Sequence, residues 1–307
     1  MNGFTENVRR RPGMYVGDTD SGLGLLHMAY AALDNLSGVA QNSVVYLSLL
    51  SPRRLRFFVP NIYVTENELF TWATEDGFSH KSEMGSETGA LINWLPVANA
   101  LSQSFKIEAL SPQGAYGFTF SKGQVIQGGE LSISENGLLV EFEACDEIFP
   151  AHLTFPQAAL AGRLDELAAL TGRKYHFDGQ VFDYADVAAW LRQGILADHK
   201  VFAHKGYLGE AAQGIAIDIA LMEGAVSITG YVNTVKTRGG VHVDGVKAVL
   251  GALQCGGQSL GGVVHVTHPR PEFRNPTRDV LANADIPDMI EAAIHEPLAA
   301  FLRRDAG

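Results

Sequence analysis

Val8–Val39 reads VRRRPGMYVGDTDSGLGLLHMAYAALDNLSGV, and the fold is decided here. A basic cluster, Arg9, Arg10 and Arg11, leads into Arg11-Pro12-Gly13-Met14-Tyr15. There the proline fixes φ and the glycine permits a sharp reversal. Gly17-Asp18-Thr19-Asp20 is turn chemistry, with side chains able to cap the next element. From Leu23 to about Leu36 the apolar spacing is helical: Leu26, Ala29, Tyr30, Leu33 and Leu36 form one stripe. His27, Ala31, Asp34 and Asn35 fall on the other side. The simplest expectation is a helix with a core-facing stripe and a polar outer face.

The order of these residues resembles the opening of the ATPase region of the bacterial gyrase B subunit and its topoisomerase IV equivalent, both of the GHKL type. In that family an RPGMYIGDTD-like segment precedes a helix carrying a glutamate and, beyond it, Asp-Asn. Arg11–Asp20 (RPGMYVGDTD) and Asp34-Asn35 match. The resemblance assigns Asn35 to a magnesium ion, but the general-base position four residues earlier holds Ala31. Alanine takes no proton. Where the family places an Asp-Gly-Arg-Gly segment against adenine, this chain reads Phe57-Phe58-Val59-Pro60-Asn61-Ile62, with neither carboxylate nor glycine. Where a glycine-rich GxHGxG run would cradle phosphates, Gly85 and Gly89 remain, followed by Ala90-Leu91-Ile92-Asn93-Trp94. The register returns at Val97–Gln103 (VANALSQ), which resembles the family's VVNALSQ helix. Further on, Pro271–Arg278 (PEFRNPTR) falls where the family has a DPKFxxQTK loop whose lysine reaches the γ-phosphate. Arg278 keeps the charge but differs from lysine in hydrogen-bond geometry.

At 307 residues with 46% hydrophobic and 19% charged residues, the chain is long enough for two domains, each with its own core. The net charge of −11 argues against a surface built for strong DNA binding, which needs clustered Lys and Arg. Cys145 and Cys255 give neither a metal-ligand spacing nor a disulfide framework, as expected in a reducing cytoplasm. No stretch approaches the ~20 apolar residues of a membrane span.

The remaining punctuation predicts strands over Ser43–Leu50 and Leu55–Val59, with Pro52-Arg53 turning between them. A short helix is expected from Glu66 and a polar loop over Ser79–Gly89. Strands are then expected at Phe105–Leu110, Tyr116–Phe120, Gln124–Ile126 and Leu138–Phe142, and a helix over Phe155–Leu170. Lys174–Phe177 adds a strand. Ile215–Met222 is expected to pair with Ala225–Val232 across Glu223-Gly224, Gly261–His268 to form a strand, and Ile286–Arg303 to form the last helix.

The expected fold class is α+β in two domains: residues 1–178 a GHKL ATPase-like sandwich, and residues 179–307 a transducer domain like that of ribosomal protein S5. The expected function is a pseudo-ATPase, a regulatory or protein-interaction module whose partner is a protein, with a topoisomerase subunit the leading candidate. No cofactor is expected; Mg-ATP would be the ligand if the nucleotide site works. The alternatives are a truncated nucleotide-binding or ATP-hydrolysing topoisomerase relative, and a residual pocket for another ligand lined by Phe57, Phe58 or Trp94. Only seven residues precede Val8, so a short N-terminal arm and no nucleotide-driven dimer are expected.

Overall fold

The computed structural model describes residues 3–40, 44–74, 94–126, 131–193, 199–253, 259–275 and 279–303. The chain separates into two compact units. One holds most of the chain up to Asp183; the other holds Ala169–Gly172 and the chain from Tyr184 onward.

In the first unit, period-two alternation builds a mixed sheet. Its strands are β1 (Val45–Ser51), β2 (Arg54–Pro60), β3 (Ser102–Ser111), β4 (Gly114–Ser121), β5 (Gln124–Ile126), β6 (Gly137–Ala144), β7 (Tyr175–Phe177) and β8 (Gln180–Phe182). Their spatial order is β5-β4-β3-β6-β2-β1-β7-β8. The first sheet thus runs on through Phe182, past the boundary expected at Asp178. Leu55, Phe57 and Val59 of β2 alternate inward and pair with Phe142, Val140 and Leu138 of β6. Phe57 stacks on Phe142, which stacks in turn on Phe105. Burying each such ring stabilises by about 1.5–3 kcal/mol, which makes this row the centre of the core.

The opposite face carries Tyr46, Arg54, Arg56, Phe58, Glu108 and Glu141. Its charges are matched: Arg54 and Arg56 both hold the buried Glu141. Glu108, also buried, accepts hydrogen bonds from the Ser132 and Ile133 amides and the Ser132 hydroxyl. Phe57 and Phe58 therefore belong to different faces, as a pleated strand requires.

The helices of this unit are α1 (Gly3–Arg10), α2 (Gly13–Val16), α3 (Leu23–Val39), α4 (Glu66–Ala73), α5 (Leu95–Ala100) and α6 (Gln157–Thr171). The Pro12-Gly13 reversal produces the single turn of α2, and Gly22 in the left-handed region starts α3. A side chain at Gly24 would meet the Asp18 carbonyl at 2.8 Å. The close approach lets the Gly24 amide donate to that carbonyl at 2.7 Å. α4 begins with a reciprocal capping box between Thr65 and Glu68.

The second unit contains α7 (Val187–Gln193), β9 (Val201–Tyr207), β10 (Ala216–Glu223), β11 (Ile228–Val232), β12 (Val235–Thr237), β13 (Gly239–Gly240), α8 (Val241–Ala252), β14 (Leu260–Thr267), β15 (Val280–Leu281) and α9 (Ile286–Arg303). β10 and β11 do not form the hairpin expected from Glu223-Gly224. β14 lies between them, antiparallel to β10 and parallel to β11, in the order β12-β11-β14-β10-β9. Two physical features explain this. The α8 crossover returns the chain parallel to β11, as βαβ units do. Gly261 and Gly262 let β14 enter closely, since a Cβ at Gly262 would stand 2.1 Å from the Ala220 carbonyl oxygen. One side of the sheet packs Ile217, Ile219, Val264 and Val266 against Val243, Val246, Ile290 and Ile294 of α8 and α9. The other side packs Ala220, Tyr231 and Val263 against Val187 and Ala188 of α7.

Two imidazoles are sealed into this unit. His242, wholly buried, shares a 3.1 Å hydrogen bond between Nε2 and the Thr237 hydroxyl. His265 stands opposite Asp218 in the sheet. Neither His242 Nδ1 nor His265 Nε2 has a partner among the described residues. Burial pushes both rings down from the ordinary 6.5 to about 4. Their protons are therefore taken up by the unfolded chain first, and stability falls as pH drops below 6.5 toward 4. Between pH 6.5 and 5 the two rings together should cost about 3 kcal/mol. Urea titrations across that range measure it, and His242→Gln with His265→Gln should flatten the pH dependence.

Candidate functional site

The residues that the resemblance assigns to a nucleotide begin on α3, so the site is built from that helix outward. Its buried side is wider than the expected stripe: Leu25, Met28, Ala29, Ala32, Leu33, Asn35, Leu36, Ser37 and Gly38 are all buried. Asn35 is 3% exposed and is not part of a polar outer face. The helix is enclosed on more than half its circumference, and its polar groups must find partners inside the protein.

They find them in two places. Tyr30 and Asp34, spaced i and i+4, face α6, and the Ser37 backbone carbonyl meets the chain just after it, while the buried Ser37 hydroxyl has no partner among the described residues. The Tyr30 hydroxyl donates to the Ala159 carbonyl at 2.9 Å, Arg163 Nη2 to Asp34 Oδ1 at 2.7 Å, and Arg173 Nη1 to the Ser37 carbonyl at 2.6 Å. Arg163 also holds Glu166 at 3.3 Å and lies over the Tyr30 ring, 5.7 Å from its centroid. Burial lifts the Asp34 carboxyl above its usual range while Arg163 pulls it the other way. For Asp34 burial outweighs that attraction, whereas Arg163, flanked by Asp34 and Glu166, is held above its ordinary value despite its own burial.

On the adjoining face, Asn35 Oδ1 accepts the backbone N–H of Trp94 at 2.7 Å. Trp94 is the N-terminal flanking residue of α5, whose six residues are all buried. The other asparagine here, Asn99, is 2% exposed and donates through Nδ2 to the Ala73 carbonyl at 2.8 Å, at the end of α4. Ala31, partly buried between Tyr30 and Ala32, offers a methyl group at the general-base position.

Of the residues singled out from sequence, Ala31, Asp34 and Asn35 thus share α3 but face different neighbours. Phe57 lies in the core, and Phe58 lies on the far face, 6.1 Å from Tyr46. A single pocket lined by both rings is excluded by that alternation. Gly85, Gly89 and Arg278 lie outside the described residues. The segment leading to Arg278 is anchored where it is described. Asn283 Oδ1 accepts the Glu272 amide at 2.8 Å, and Asn233 Oδ1 accepts the His268 amide at 2.9 Å. Two contacts went unread in the sequence. The Trp94 amide leaves no trace in side-chain chemistry. Arg163 does leave one, as the only charge beside Leu160, Leu164 and Leu167 on the buried stripe of α6. Among the described residues no cluster of His, Cys, Asp and Glu could hold a metal ion.

The Asp34–Arg163 pair yields a measurable expectation. Asp34→Ala leaves a guanidinium that is 7% exposed without its main counter-ion and should cost about 3 kcal/mol in urea unfolding. Replacing both residues, Asp34→Leu with Arg163→Met, should cost less than the sum of the single changes.

No protein-family model matches the chain. It is 28% identical to a chloroplastic/mitochondrial DNA gyrase B subunit of Nicotiana benthamiana, across 96% of this chain and 48% of that protein. It is 24% identical to the DNA gyrase B subunit of Synechocystis, across 98% of this chain and 33% of that protein. The chain spans about half the length, or less, of these curated relatives. Among solved structures, the B subunit of the DNA gyrase from Myxococcus xanthus superposes with a TM-score of 0.81 at 25% identity, covering 98% of this chain and 99% of that one. The 43K ATPase domain of Thermus thermophilus gyrase B, solved with an aminocoumarin, gives 0.73 at 22% identity, covering 98% and 90%, a likeness of fold alone. In sequence and in its GHKL-type α+β fold, the chain resembles the ATPase-plus-transducer region of DNA gyrase B over nearly its whole length.

Proposed function

We propose that this chain is a gyrase B-like pseudo-ATPase, a regulatory or protein-interaction module that keeps the fold and has lost the chemistry. The observation that carries this reading is Ala31 on α3, at the position to which the resemblance assigns the water-activating glutamate. The neighbouring carboxylate cannot substitute, because Asp34 is bound to Arg163 at 2.7 Å. Mg-ATP fits poorly with the remaining residues. The Asn35 carbonyl oxygen already accepts the Trp94 amide. Residues 57–62 offer no carboxylate to adenine, and an aromatic ring cannot replace that hydrogen bond. No cofactor is part of this proposal.

The partner proposed is a protein, with a topoisomerase subunit first in line because the relatives are gyrase B subunits. Residues 1–178 would supply the ATPase-like half and residues 179–307 the transducer-like half. Direct strong binding to DNA is not expected at a net charge of −11. Among the described residues no helix is long and apolar enough to cross a membrane. A reducing, cytoplasmic setting is proposed from the cysteine usage. The second reading, a nucleotide-binding relative, draws on Asp34, Asn35 and Arg278.

Three outcomes test the proposal. The purified chain should release phosphate from ATP at the background rate, since general-base catalysis contributes about 10²–10⁴-fold and the proton acceptor is missing. Ala31→Glu should not restore turnover, because a base acts only on a substrate held in reach. Hydrolysis above background in that single variant would refute the reading. In light scattering, ATP or a non-hydrolysable analogue with magnesium should leave the molar mass unchanged, because a ligand shifts an assembly only through differential affinity.

A further inference from the structure

A row of polar side chains crosses the sheet of the second unit. Lys205 of β9, Asp218 of β10, His265 of β14, Tyr231 of β11 and Lys236 of β12 stand opposite one another, strand by strand. They project from the side that receives α7, because Ala220 and Val263, two residues from Asp218 and His265, pack there on Val187 and Ala188. The lysines at its ends are exposed, and its middle is sealed: Asp218 is 7%, His265 6% and Tyr231 1% exposed. The start of α7 is tied to this row at two points. Asp218 Oδ2 accepts the Val187 amide at 3.3 Å, and Lys205 Nζ donates to the Ala185 carbonyl at 3.1 Å. Lys205 Nζ also stands 3.5 Å from Asp218 Oδ2. Beside that carboxylate, His265 Nε2 has no partner among the described residues.

We propose that Asp218 and His265 form an acid-sensitive latch on α7, which releases the helix from the sheet when His265 takes up a proton. The neutral ring suits its place: the Asn233 backbone engages it on one side, and Nε2 is an acceptor without a donor. A proton turns Nε2 into a donor and puts a charge in a sealed site. Asp218 is the anion directly opposite, and it already holds Val187 and Lys205. The charge is relieved in one of two ways: the carboxylate turns from the Val187 amide to the ring, or α7 lifts and admits water. Each undoes the start of α7. The other groups around the ring supply no counter-charge. Tyr231 leads to Lys236, Asp218 to Lys205, and His242 bears on the ring from α8. Asp186, just before α7, is committed to the Ala189 amide at 2.7 Å, and Arg192 near the end of α7 is a cation.

Burial sets the direction of the response. It pushes the ring down to about 4, whereas with α7 lifted the ring returns to the ordinary 6.5. The released form therefore binds the proton first, and docking weakens as pH falls from 6.5 toward 4. Burial pushes the Asp218 carboxyl up, so its own proton is taken with α7 in place and opposes release at the acid end. No part of this latch depends on the pseudo-ATPase reading.

Hydrogen exchange of the whole chain tests it, with each rate divided by that of an unstructured chain at the same pH. Between about pH 7.5 and about pH 5.5 the opening of α7 should rise about tenfold, as one ring moving between these two proton affinities requires. His265→Gln should abolish the rise and His242→Gln should leave it, with protection of Val263–Val266 in β14 showing that each variant is folded. Equal protection of α7 and β14 at both pH values would overturn the latch, because α7 would then open only with the whole unit. An α7 that opens equally at the two pH values would overturn it too. So would loss of the rise in His242→Gln, which would assign it to global unfolding.

Discussion

Enclosing α3 presses its polar side chains to find partners inside the protein; Tyr30, Asp34 and Asn35 find them, while the buried Ser37 hydroxyl has none among the described residues. An unpaired buried carboxylate or amide costs several times what a formed hydrogen bond contributes. Tyr30, Asp34 and the Ser37 carbonyl are answered from α6 and Arg173, and Asn35 is answered by Trp94. α3 thus fixes the position of α6 on one side and the start of α5 on another. The sheet beneath supplies the area term through Phe57, Phe105 and Phe142, while these polar contacts set the angle at which the helices sit.

Under the proposed pseudo-ATPase reading, that constraint accounts for a fold that stands without a carboxylate at residue 31. Ala31 is a substitution at a position the fold does not use: a methyl group there leaves no buried donor or acceptor unpaired. Asp34 and Asn35 are different. Each is held by a partner within the chain, which gives both a structural role.

The second unit obeys the same rule with a different outcome. Its sheet is closed by close approaches of backbone, at Gly230 against His242 and at Gly262 against Ala220, where any side chain would collide. Burying His242 and His265 with a ring nitrogen unpaired is tolerable only while the rings are neutral, so this unit's stability is tied to pH where the first unit's is tied to its ion pairs.

Sequence alone determined the α+β class, the approximate span of the longer helices α3, α6 and α9 and of most strands of the first sheet, and the resemblance carried by RPGMYVGDTD, because short-range chemistry and periodicity are local properties of a chain. It showed that residue 31 has no proton to move and that residues 57–62 have no carboxylate. Tertiary structure decided the rest. The insertion of β14 between β10 and β11 depends on a crossover that alternation cannot reveal. β9 carries no clean alternation because its burial is uneven, and β8, β12, β13 and β15 are too short to show a period. The inward turn of Asn35 depends on what encloses α3 from the far side, and helical periodicity assigns a face without saying whether that face meets water. The partners of Asp34 and Asn35 are 129 and 59 residues away in sequence, one a guanidinium and the other a bare amide that no residue type announces. Long-range pairing of polar groups is set by burial, and burial is a property of the assembled fold.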